Sequence, residues 1–325
     1  MKNVCVVGYG AIGPIHAAAL EKVESARLYA VCDCDEERIL RCTEKYDVVT
    51  YTDFGEMLND ENIDSVHICT PHYLHFDMVR LALEKNKEVV CEKPLAMDNE
   101  QFEKMLKLPG IDKVAVCFQN RLNTCTLKMK EILASGKIGN IIGVRGLLTW
   151  IRDKAYYETD EWRGKWETEG GGVLINQAIH TLDLMGYFTG GFKSLKAVMN
   201  NFSLENVIEV EDSFMASLRT NDDAKAIFFA TNAFSSNSTP DLQVVCEKGT
   251  LRYTDDKLFL DDEILCHDVT AEGEKAYWGT GHITLLKDYY DHGKHFTVFD
   301  SANTMKTVFA MYESARQNGK EIYIK

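Results

Sequence analysis

One short stretch of the sequence spaces three polar side chains for acid–base chemistry. EGGGVLINQAIHTLDL, residues 169–184, contains Asn176, His180 and Asp183 at intervals of four and three. They would share one face of a helix that we predict from about Gly172 to Tyr187. An imidazole titrates near neutral pH and can take the proton of a hydroxyl group. Asp183 would either orient this imidazole or, as we favour, pair with a basic neighbour.

A lysine in a second stretch is also placed for proton transfer. VVCEKPLAM, residues 89–97, puts Lys93 just after an apolar run that predicts a strand. A lysine that is partly desolvated and close to a positive charge has a lowered pKa and exchanges protons near neutral pH. Pro94 restrains the backbone and allows a cis bond. A surface salt bridge between Lys93 and Glu92 is the competing interpretation, and the local sequence favours neither.

A glycine motif near the N-terminus indicates a nucleotide site. GYGAIG, residues 8–13, lies between a predicted strand and a predicted helix. Such glycines allow a tight turn, let backbone N–H groups approach a pyrophosphate and let helix and strand pack closely, with the helix N-terminus facing the phosphates. A glycine-rich turn without a ligand is the alternative for this pattern alone. The candidate cofactor contacts here are Gly8, Gly10, Ala11, Ile12 and Gly13.

The next predicted strand ends at Asp33, twenty residues after Gly13. A carboxylate at this distance is expected to bind the ribose hydroxyls of the adenosine half and to repel a 2′-phosphate. We find no arginine after Asp33 placed to bind that phosphate instead, so we predict NAD rather than NADP. Asp33 would also suit the cap of the following helix, although Asp35 would serve equally well.

Two further strand ends are expected at the same crevice, because ligands bind at the carboxyl edge of such sheets. ICTPHYLH, residues 68–75, follows the third long apolar run. For His72 and His75 we favour a structural role over a catalytic one. From these two strand ends we assign to the cofactor site Thr70, Pro71, His75, Glu92 and Lys93.

The order of elements predicts a two-domain α/β protein. Strands alternate with helices up to about residue 120, which predicts a doubly wound parallel sheet for a domain spanning 1–120. After that point several strands follow one another without helices between them. They predict a largely antiparallel sheet in a second domain, 121–325, which ends in two helices near 283–292 and 301–317.

Composition excludes several classes of partner. The 325 residues carry 36 basic and 50 acidic side chains, a net charge of −14, without a basic block. Neither nucleic acid nor an anionic membrane surface is therefore expected as a partner. No apolar run approaches the roughly 18 residues that a bilayer crossing needs, and the first residues do not resemble a signal peptide. Ten scattered cysteines indicate reduced thiols in a cytoplasmic protein, and the histidine spacing predicts no metal site.

These motifs together resemble the Gfo/Idh/MocA family, the relatives of glucose–fructose oxidoreductase and inositol dehydrogenase. GYGAIG, Asp33, CTPHYLH, EKP and GGGxLxxxxxHxxD carry the resemblance, which extends through FQNR and YWGTGH over essentially the whole chain. It implies an N-terminal Rossmann domain and a C-terminal α/β domain with an open, mostly antiparallel sheet, whose free face forms homodimers or homotetramers. It also implies hydride transfer between a nicotinamide cofactor and a hydroxyl of a sugar, cyclitol or related polyol.

The resemblance assigns roles to particular residues. Lys93 matches the EKP lysine and His180 the histidine placed as acid/base, while Gln119 and Asn120 lie in a segment that often meets substrate or nicotinamide. Many members carry Asp where this chain has Asn176. An amide cannot take up a proton but can still bind a substrate hydroxyl, so proton transfer falls to His180 and Lys93. We expect the three glycines before this segment to leave room for substrate and nicotinamide.

Substrate identity is expected to depend on loop 152–168 and on the segment before His180. Aromatic faces there suit the C–H face of a pyranose, and an arginine suits a hydroxyl or carboxylate. Packing of these aromatics against another domain or subunit is an equally good interpretation. The candidate substrate contacts are Asn120, Tyr157, Trp162, Arg163, Asn176 and Gln177.

Three functions fit these motifs. The leading one is an NAD-dependent dehydrogenase of a sugar or polyol. In the second, tightly held NAD oxidises a glycoside transiently and takes back the hydride, which gives a redox-neutral glycosidase or epimerase. The third is a non-catalytic NAD-binding regulator, and the presence of both Lys93 and His180 argues against it.

Overall fold

The computed structural model describes residues 1–270, 279–294 and 296–324. The chain forms two compact units. The first contains Met1–Gln119 and Gly281–Ser301, and the second contains Asn120–Thr280 and Ala302–Lys325. Over the residues that the model describes, no helix has both the length and the apolar character required to cross a bilayer.

The first unit is built on a six-stranded sheet in which every strand pair is parallel. The strand order is β3-β2-β1-β4-β5-β6, which confirms the predicted doubly wound arrangement. The central strands are buried apolar runs, as expected for a sheet covered on both faces. Its strands are β1 Lys2–Val7, β2 Ala26–Cys32, β3 Val49–Tyr51, β4 Ser65–Ile68, β5 Glu88–Cys91 and β6 Val114–Val116.

Helices follow these strands, and several begin at an aspartate cap. The helices are α1 Gly13–Leu20, α2 Glu36–Thr43, α3 Phe54–Leu58, α4 His75–Glu84 and α5 Asn99–Met105. Short 3-10 turns occupy His72–Leu74 and Ile111–Lys113. Asp35 caps α2 by accepting the Glu37 N–H, and Asp98 caps α5 by accepting the Gln101 N–H. The cap of α2 is therefore Asp35, and Asp33 remains available for another role.

The second unit is built on a nine-stranded mixed sheet. Its strand order is β14-β13-β12-β11-β7-β10-β9-β8-β15. Only β7 and β10 are parallel neighbours among these pairs, so the predicted, mostly antiparallel sheet is confirmed. The strands are β7 Ile141–Thr149, β8 Phe192–Asn200, β9 Ser213–Thr220, β10 Lys225–Thr231, β11 Asp241–Cys246, β12 Gly249–Thr254, β13 Lys257–Leu260, β14 Glu263–His267 and β15 Ile322–Tyr323.

Four helices of the second unit precede or interrupt this sheet. They are α6 Thr124–Ala134, α7 Lys154–Glu158, α8 Trp166–Glu169 and α9 Ile179–Thr189, and a 3-10 turn occupies Gln119–Leu122. Prediction and structure differ at α9, because residues 173–178 form turns and the helix begins only at Ile179. Asn176 therefore precedes the helix, and the prediction of one helical face shared with His180 and Asp183 is wrong.

A later segment of the chain, Gly281–Ser301, belongs to the first unit. Two long helices, α10 Gly281–His292 and α11 Val298–Arg316, lie between β14 and β15 in the chain, and the division between units falls within α11. Phe296 accepts the Val116 N–H at 2.9 Å, so this segment hydrogen-bonds to β6 of the first sheet. The contiguous domain 121–325 predicted from the sequence differs from the compact units in this segment. Part of the YWGTGH motif, including Tyr277 and Trp278, lies outside the described residues.

Candidate active site

The glycine turn of the first unit leaves one side open. Gly8 has φ +86°, and a Cβ there would lie 2.6 Å from the Cys69 carbonyl oxygen. A Cβ on Gly13 would run into the Gly8 carbonyl oxygen, so both positions exclude a side chain. At Gly10 a Cβ would meet only the Arg38 guanidinium, at 3.6 Å. The backbone is therefore tightly packed on one side and accessible at Gly10, which fits the approach of a pyrophosphate.

Asp33 lies at the end of β2, buried beside this turn. Its Oδ2 accepts the Tyr9 N–H at 2.6 Å, and its Oδ1 accepts the Asp35 N–H at 3.0 Å. The expectation that no arginine lies close by is wrong, because Arg38 Nη1 stands 3.9 Å from Asp33 Oδ2. The first turn of α2 carries residue 38 back over the strand end, and counting residues along the chain did not indicate this.

His75 connects the two loops that carry Thr70 and Lys93. Its Nδ1 lies 2.7 Å from the Pro94 carbonyl oxygen, and its Nε2 lies 2.9 Å from the Thr70 carbonyl oxygen. The ring is fully buried, and burial lowers its pKa although both carbonyls act to raise it. The Lys93–Pro94 peptide bond is cis. This geometry gives His75 the structural role we favoured, whereas direct contact of His75, Thr70 or Pro71 with a cofactor stays a prediction.

Glu92 is the acceptor of a buried histidine network. Its Oε1 lies 3.1 Å from His16 Nε2 and 3.6 Å from His282 Nε2, and its Oε2 accepts the Lys93 N–H. Burial raises the pKa of this carboxyl, but the hydrogen bonds from both imidazoles outweigh burial and hold the pKa well below its ordinary value. Glu92 is therefore a buried anchor beside Lys93 and does not have the exposure that the surface salt bridge required.

The network extends away from Glu92 through four more groups. His16 Nδ1 lies 3.0 Å from His67 Nδ1, and His67 Nε2 lies 2.9 Å from the hydroxyl of Tyr290, which bonds to Ser65. Burial lowers the pKa of both His16 and His67, which favours the neutral form of each ring. The Cys117 thiol lies 3.9 Å from His16. His16, Glu92 and Cys117 have their ligand atoms within 4.8 Å of one another, a grouping that sequence spacing did not indicate; the expectation of no metal stays a prediction.

In the second unit, Glu211 fixes the glycine-rich segment. Its carboxylate accepts the N–H groups of Gly172 at 2.9 Å and Leu174 at 3.1 Å and the hydroxyl of Tyr312 at 2.9 Å. A Cβ on Gly172 would run into the Glu211 carbonyl oxygen, and one on Gly171 would run into the Tyr312 hydroxyl. These two glycines lie against Glu211 and Tyr312, so our explanation that they leave room for substrate and nicotinamide is wrong for them.

Asn176 hydrogen-bonds to a second buried glutamate. Its Nδ2 donates to Glu169 Oε1 at 2.5 Å, and the Gly164 N–H donates to Glu169 Oε2 at 2.5 Å. Glu169 is fully buried, and burial raises its pKa to about 7 against the opposing effect of these two hydrogen bonds. We did not predict Glu169 from the sequence, although it directly precedes the three glycines. Glu211 behaves similarly, because burial raises its pKa to about 7 against the hydrogen bonds that it accepts.

His180 lies in the first turn of α9 and is partly exposed. Asp183, one turn later, accepts two hydrogen bonds from the Arg121 guanidinium, at 2.8 and 2.6 Å, and a third from Thr304 at 2.6 Å. All of Asp183 is buried in this ion pair. The interpretation we favoured, a pair with a basic neighbour, is therefore the one that the structure supports.

The remaining candidate substrate contacts fall into different surroundings. Tyr157 is buried against Leu204, Ile208 and Val210, and its hydroxyl accepts a hydrogen bond from Asn232. The packing interpretation therefore holds for Tyr157, which has no open face for a sugar. Trp162 is partly exposed, with the Arg163 guanidinium 5.1 Å from the centre of its ring.

Sequence reasoning missed Tyr156, the neighbour of Tyr157. Its hydroxyl accepts hydrogen bonds from Arg163 Nη1 and from Gln177 Nε2. Arg163 also binds Asp160 at 3.0 Å, and Gln177 Oε1 accepts a bond from Asn232. The structure thus joins two of the predicted substrate residues, Arg163 and Gln177, through a tyrosine that we did not predict.

Asn120 lies apart from this group, in a small pocket of the second unit. Thr181, Leu184 and Tyr253 line the same pocket. Gln119 is the last residue assigned to the first unit and Asn120 the first assigned to the second. The structure thus gives Asn120 surroundings different from those of Asn176 and Gln177, and its contact with substrate stays a prediction.

Comparison with known proteins identifies the class. Residues 2–123 match the model described as "Oxidoreductase family, NAD-binding Rossmann fold", and residues 126–252 match the GFO/IDH/MocA C-terminal domain. The chain belongs to the Gfo/Idh/MocA family of oxidoreductases, as the sequence motifs predicted, and its first unit is an NAD-binding Rossmann domain.

Particular relatives are similar over part of their length. Myo-inositol 2-dehydrogenase of Thermotoga maritima is 31% identical over 191 residues, which are 58% of this chain and 55% of that protein. Levoglucosan dehydrogenase of Pseudarthrobacter phenanthrenivorans is 26% identical over 220 residues, 64% of this chain and 56% of that protein. The chain thus spans about half the length of the curated relatives it matches.

Solved structures match over the whole chain. The WlbA dehydrogenase from Bordetella pertussis, in complex with NADH and UDP-GlcNAcA, is 25% identical with a TM-score of 0.89, covering 100% of this chain and 98% of that one. Levoglucosan dehydrogenase, in complex with NADH and levoglucosan, is 20% identical with a TM-score of 0.87, covering 99% of each chain, and this likeness concerns the fold alone.

Proposed function

We propose that this protein is an NAD-dependent dehydrogenase acting on a hydroxyl of a sugar, a cyclitol or a related derivative. The observation that carries the proposal is the set of groups at the carboxyl edge of the parallel sheet. The open glycine turn follows β1, Asp33 follows β2, and Lys93 follows β5 on a backbone anchored by buried Glu92. The family match and the NADH complexes of its relatives support the same assignment.

The proposed division of roles gives proton transfer to His180 and Lys93. NAD, when bound at the Gly8–Gly13 turn and Asp33, supplies the hydride acceptor. His180, partly exposed at the start of α9, takes the proton of the substrate hydroxyl, and Lys93 assists. Asn176 binds a substrate oxygen without exchanging a proton, since an amide does not titrate. Gln177, Trp162 and Arg163 contribute further substrate contacts.

The cofactor preference that we propose is NAD over NADP. The Asp33 carboxylate would repel a 2′-phosphate, which is the physical basis of the preference. Arg38 lies 3.9 Å from that carboxylate, and its positive charge would attract the 2′-phosphate. The preference for NAD over NADP is therefore expected to be smaller than Asp33 alone would give.

The test is an NADH-formation screen with the purified protein over inositols, free sugars, uronic acids, glycosides and nucleotide sugars. On any substrate found, Lys93→Ala and His180→Ala should each lower kcat by about 100-fold or more, the usual contribution of an acid–base group. Lys107→Ala and His267→Ala remove the same side-chain types from exposed positions and serve as matched controls. Full turnover by either Lys93→Ala or His180→Ala would contradict the proposal.

The same screen separates the rival functions. A redox-neutral glycosidase or epimerase would retain NAD through gel filtration and convert a glycoside without net NADH formation. A regulator would bind NAD and show no hydride exchange with any compound in the screen. Either outcome would contradict the dehydrogenase function and support the corresponding rival function.

We further propose a cytoplasmic homodimer or homotetramer that associates through the nine-stranded sheet. Ile142 on β7, Met215 on β9 and Ile227 on β10 are exposed large apolar side chains on neighbouring strands, which is typical of an interface. All ten cysteines are free thiols, which fits a reducing compartment. Sedimentation velocity should give a dimer or tetramer, and a monomer at micromolar concentration would contradict this proposal.

A further inference from the structure

The two oxygens of the buried Glu169 carboxylate have different kinds of partner. Oε2 accepts the backbone N–H of Gly164, and Oε1 accepts the side-chain amide of Asn176, both at 2.5 Å. A backbone N–H is always a donor, whereas a side-chain amide offers a donor at one end and an acceptor at the other. The Gly164 N–H can therefore only donate to Glu169, whereas the Asn176 amide can either donate to Glu169 or accept from it.

This asymmetry determines where Glu169 carries a proton. Because Oε2 must remain an acceptor for Gly164, the proton of the neutral acid resides on Oε1, where it faces Asn176. An ionised Glu169 requires the NH2 end of the Asn176 amide, whereas a neutral Glu169 donates and requires its carbonyl end. When Glu169 gains or loses its proton, the Asn176 amide therefore flips, so that its NH2 group and its carbonyl oxygen exchange positions.

The groups around Glu169 allow both states near neutral pH. Burial raises its pKa to about 7, the bonds from Gly164 and Asn176 lower it, Arg163 lowers it and Glu211 raises it. The Tyr157 and Tyr312 hydroxyls, whose pKa values burial raises, also feel the charge of Glu169, which raises them further. These groups come from α7, α11 and the loops that surround Glu169, and Arg163 is the one cation among those named here.

We propose that Glu169 is a positioning residue whose proton selects which end of the Asn176 amide faces the substrate. The proposal rests on the proposed function, in which Asn176 meets a substrate oxygen. With Glu169 ionised, the Asn176 carbonyl turns outward and accepts the O–H of an alcohol. With Glu169 neutral, the NH2 group turns outward and donates to a ketone, which has no proton to offer. Alcohol binding is therefore favoured at pH values above the titration of Glu169, and ketone binding at pH values below it.

The first test observes the amide without any substrate. In 15N-labelled NAD-loaded protein, the Asn176 side-chain resonances, assigned by their loss in Asn176→Asp, should shift with a midpoint near pH 7. Glu169→Gln should abolish the transition, since its Oε1 must accept from Gly164 and its NH2 group then holds the Asn176 carbonyl permanently. Glu167→Gln removes an exposed carboxylate from the same short helix and is the matched control, which should leave the transition unchanged. An Asn176 amide that does not titrate in folded wild-type protein would overturn the proposal.

The second test uses the alcohol and the ketone of whichever pair the activity screen identifies. The ratio of KM for alcohol to KM for ketone should fall about tenfold from pH 6 to pH 8 in the wild type, the value of one hydrogen bond of about 1.4 kcal/mol. In Glu169→Gln it should stay at the low-pH value, while kcat keeps its own pH dependence. An unchanged ratio in wild-type protein overturns the link to substrate. If no substrate is found but the amide titrates, the proposed function fails and the coupling of Glu169 to Asn176 stands.

Discussion

Each unit buries a carboxylate beside a residue of the proposed site, Glu92 beside Lys93 and Glu169 beside Asn176, and the two carboxylates behave in opposite ways. Glu92 in the first unit and Glu169 in the second are both buried, so desolvation penalises the charge of each. The pKa of Glu92 nevertheless lies well below its ordinary value, whereas that of Glu169 is raised to about 7.

The partners explain this difference. Two imidazoles face Glu92, and the hydrogen bonds from them outweigh burial. Glu169 receives one backbone N–H and one neutral amide, and Glu211 acts as a second carboxylate that repels it. Equal burial therefore produces a permanent anion in one unit and a titrating acid in the other, according to what donates to the carboxylate.

The largest effect is expected from removing the permanent anion. Glu92→Ala deprives His16 and the Lys93 N–H of their acceptor, and leaving such buried donors unsatisfied should cost about 3 to 5 kcal/mol of the free energy of unfolding. Urea unfolding at pH 7.5 measures this loss. Glu100→Ala removes a carboxylate of an exposed i,i+4 pair and is the control. Equal midpoints for the two variants would show that the histidine network does not anchor Glu92.

Opposite pH dependences of the two units should give an effect of intermediate size. Glu169 and Glu211 keep their protons up to about pH 7 in the fold, while the ordinary glutamate value is 4.5. The native state therefore binds more protons than the unfolded chain between these values, and its stability falls as pH rises through them. For His16 and His67 the lowered pKa has the reverse effect, since the unfolded chain binds protons below 6.5 and stability falls as pH drops.

Two variants separate these contributions. Relative to wild type, Glu169→Gln should gain on the order of 2 kcal/mol of unfolding free energy as pH rises from 5 to 7. His67→Asn should instead gain relative stability as pH falls over the same range. Denaturant unfolding at pH 5, 6 and 7 measures both. Parallel changes in the two variants would remove the contrast between the units.

The smallest effect concerns the rim of the cofactor site. Arg38 is partly exposed and already pairs with Asp35 at 3.2 Å, so its contribution to a bound 2′-phosphate is expected to be modest. Arg38→Ala should raise the preference for NAD over NADP by about two- to fivefold in kcat/KM, the value of one partly screened charge interaction. Arg41→Ala on the same helix is the control. A preference that falls in Arg38→Ala would mean that Arg38 favours NAD.

The sequence predicted features that depend on a few neighbouring residues. The Gly8–Gly13 turn, an aspartate cap at either Asp33 or Asp35 and the strand before Lys93 are each determined within a few positions, and all appear in the structure, with Asp35 as the cap. The site of the second unit depends on distant contacts instead. Glu211 lies 39 residues from Gly172 in the sequence and accepts its N–H. This bond fixes the segment whose turns precede α9, where the helix begins later than we predicted.

Adjacent residues show the same limit. Tyr156 and Tyr157 are the same residue type in one helix, yet Tyr157 is buried in the core and Tyr156 bonds Arg163 and Gln177. Composition favours neither as the polar contact. Tyr157 is buried within the cluster of Leu204, Ile208 and Val210, which come from a later part of the chain, whereas Tyr156 packs against it and is only partly buried.

The return of Gly281–Ser301 to the first unit has a consequence for biosynthesis. During translation the Rossmann sheet emerges early but lacks Tyr290, His282 and the strand-edge partner of Val116 until the segment that follows β14 of the second sheet has left the ribosome. The second unit is synthesised in the meantime. An N-terminal fragment ending at Gln119 would therefore be a nascent intermediate with an open sheet edge, and the NAD-binding unit completes its core only after most of the second unit has been synthesised.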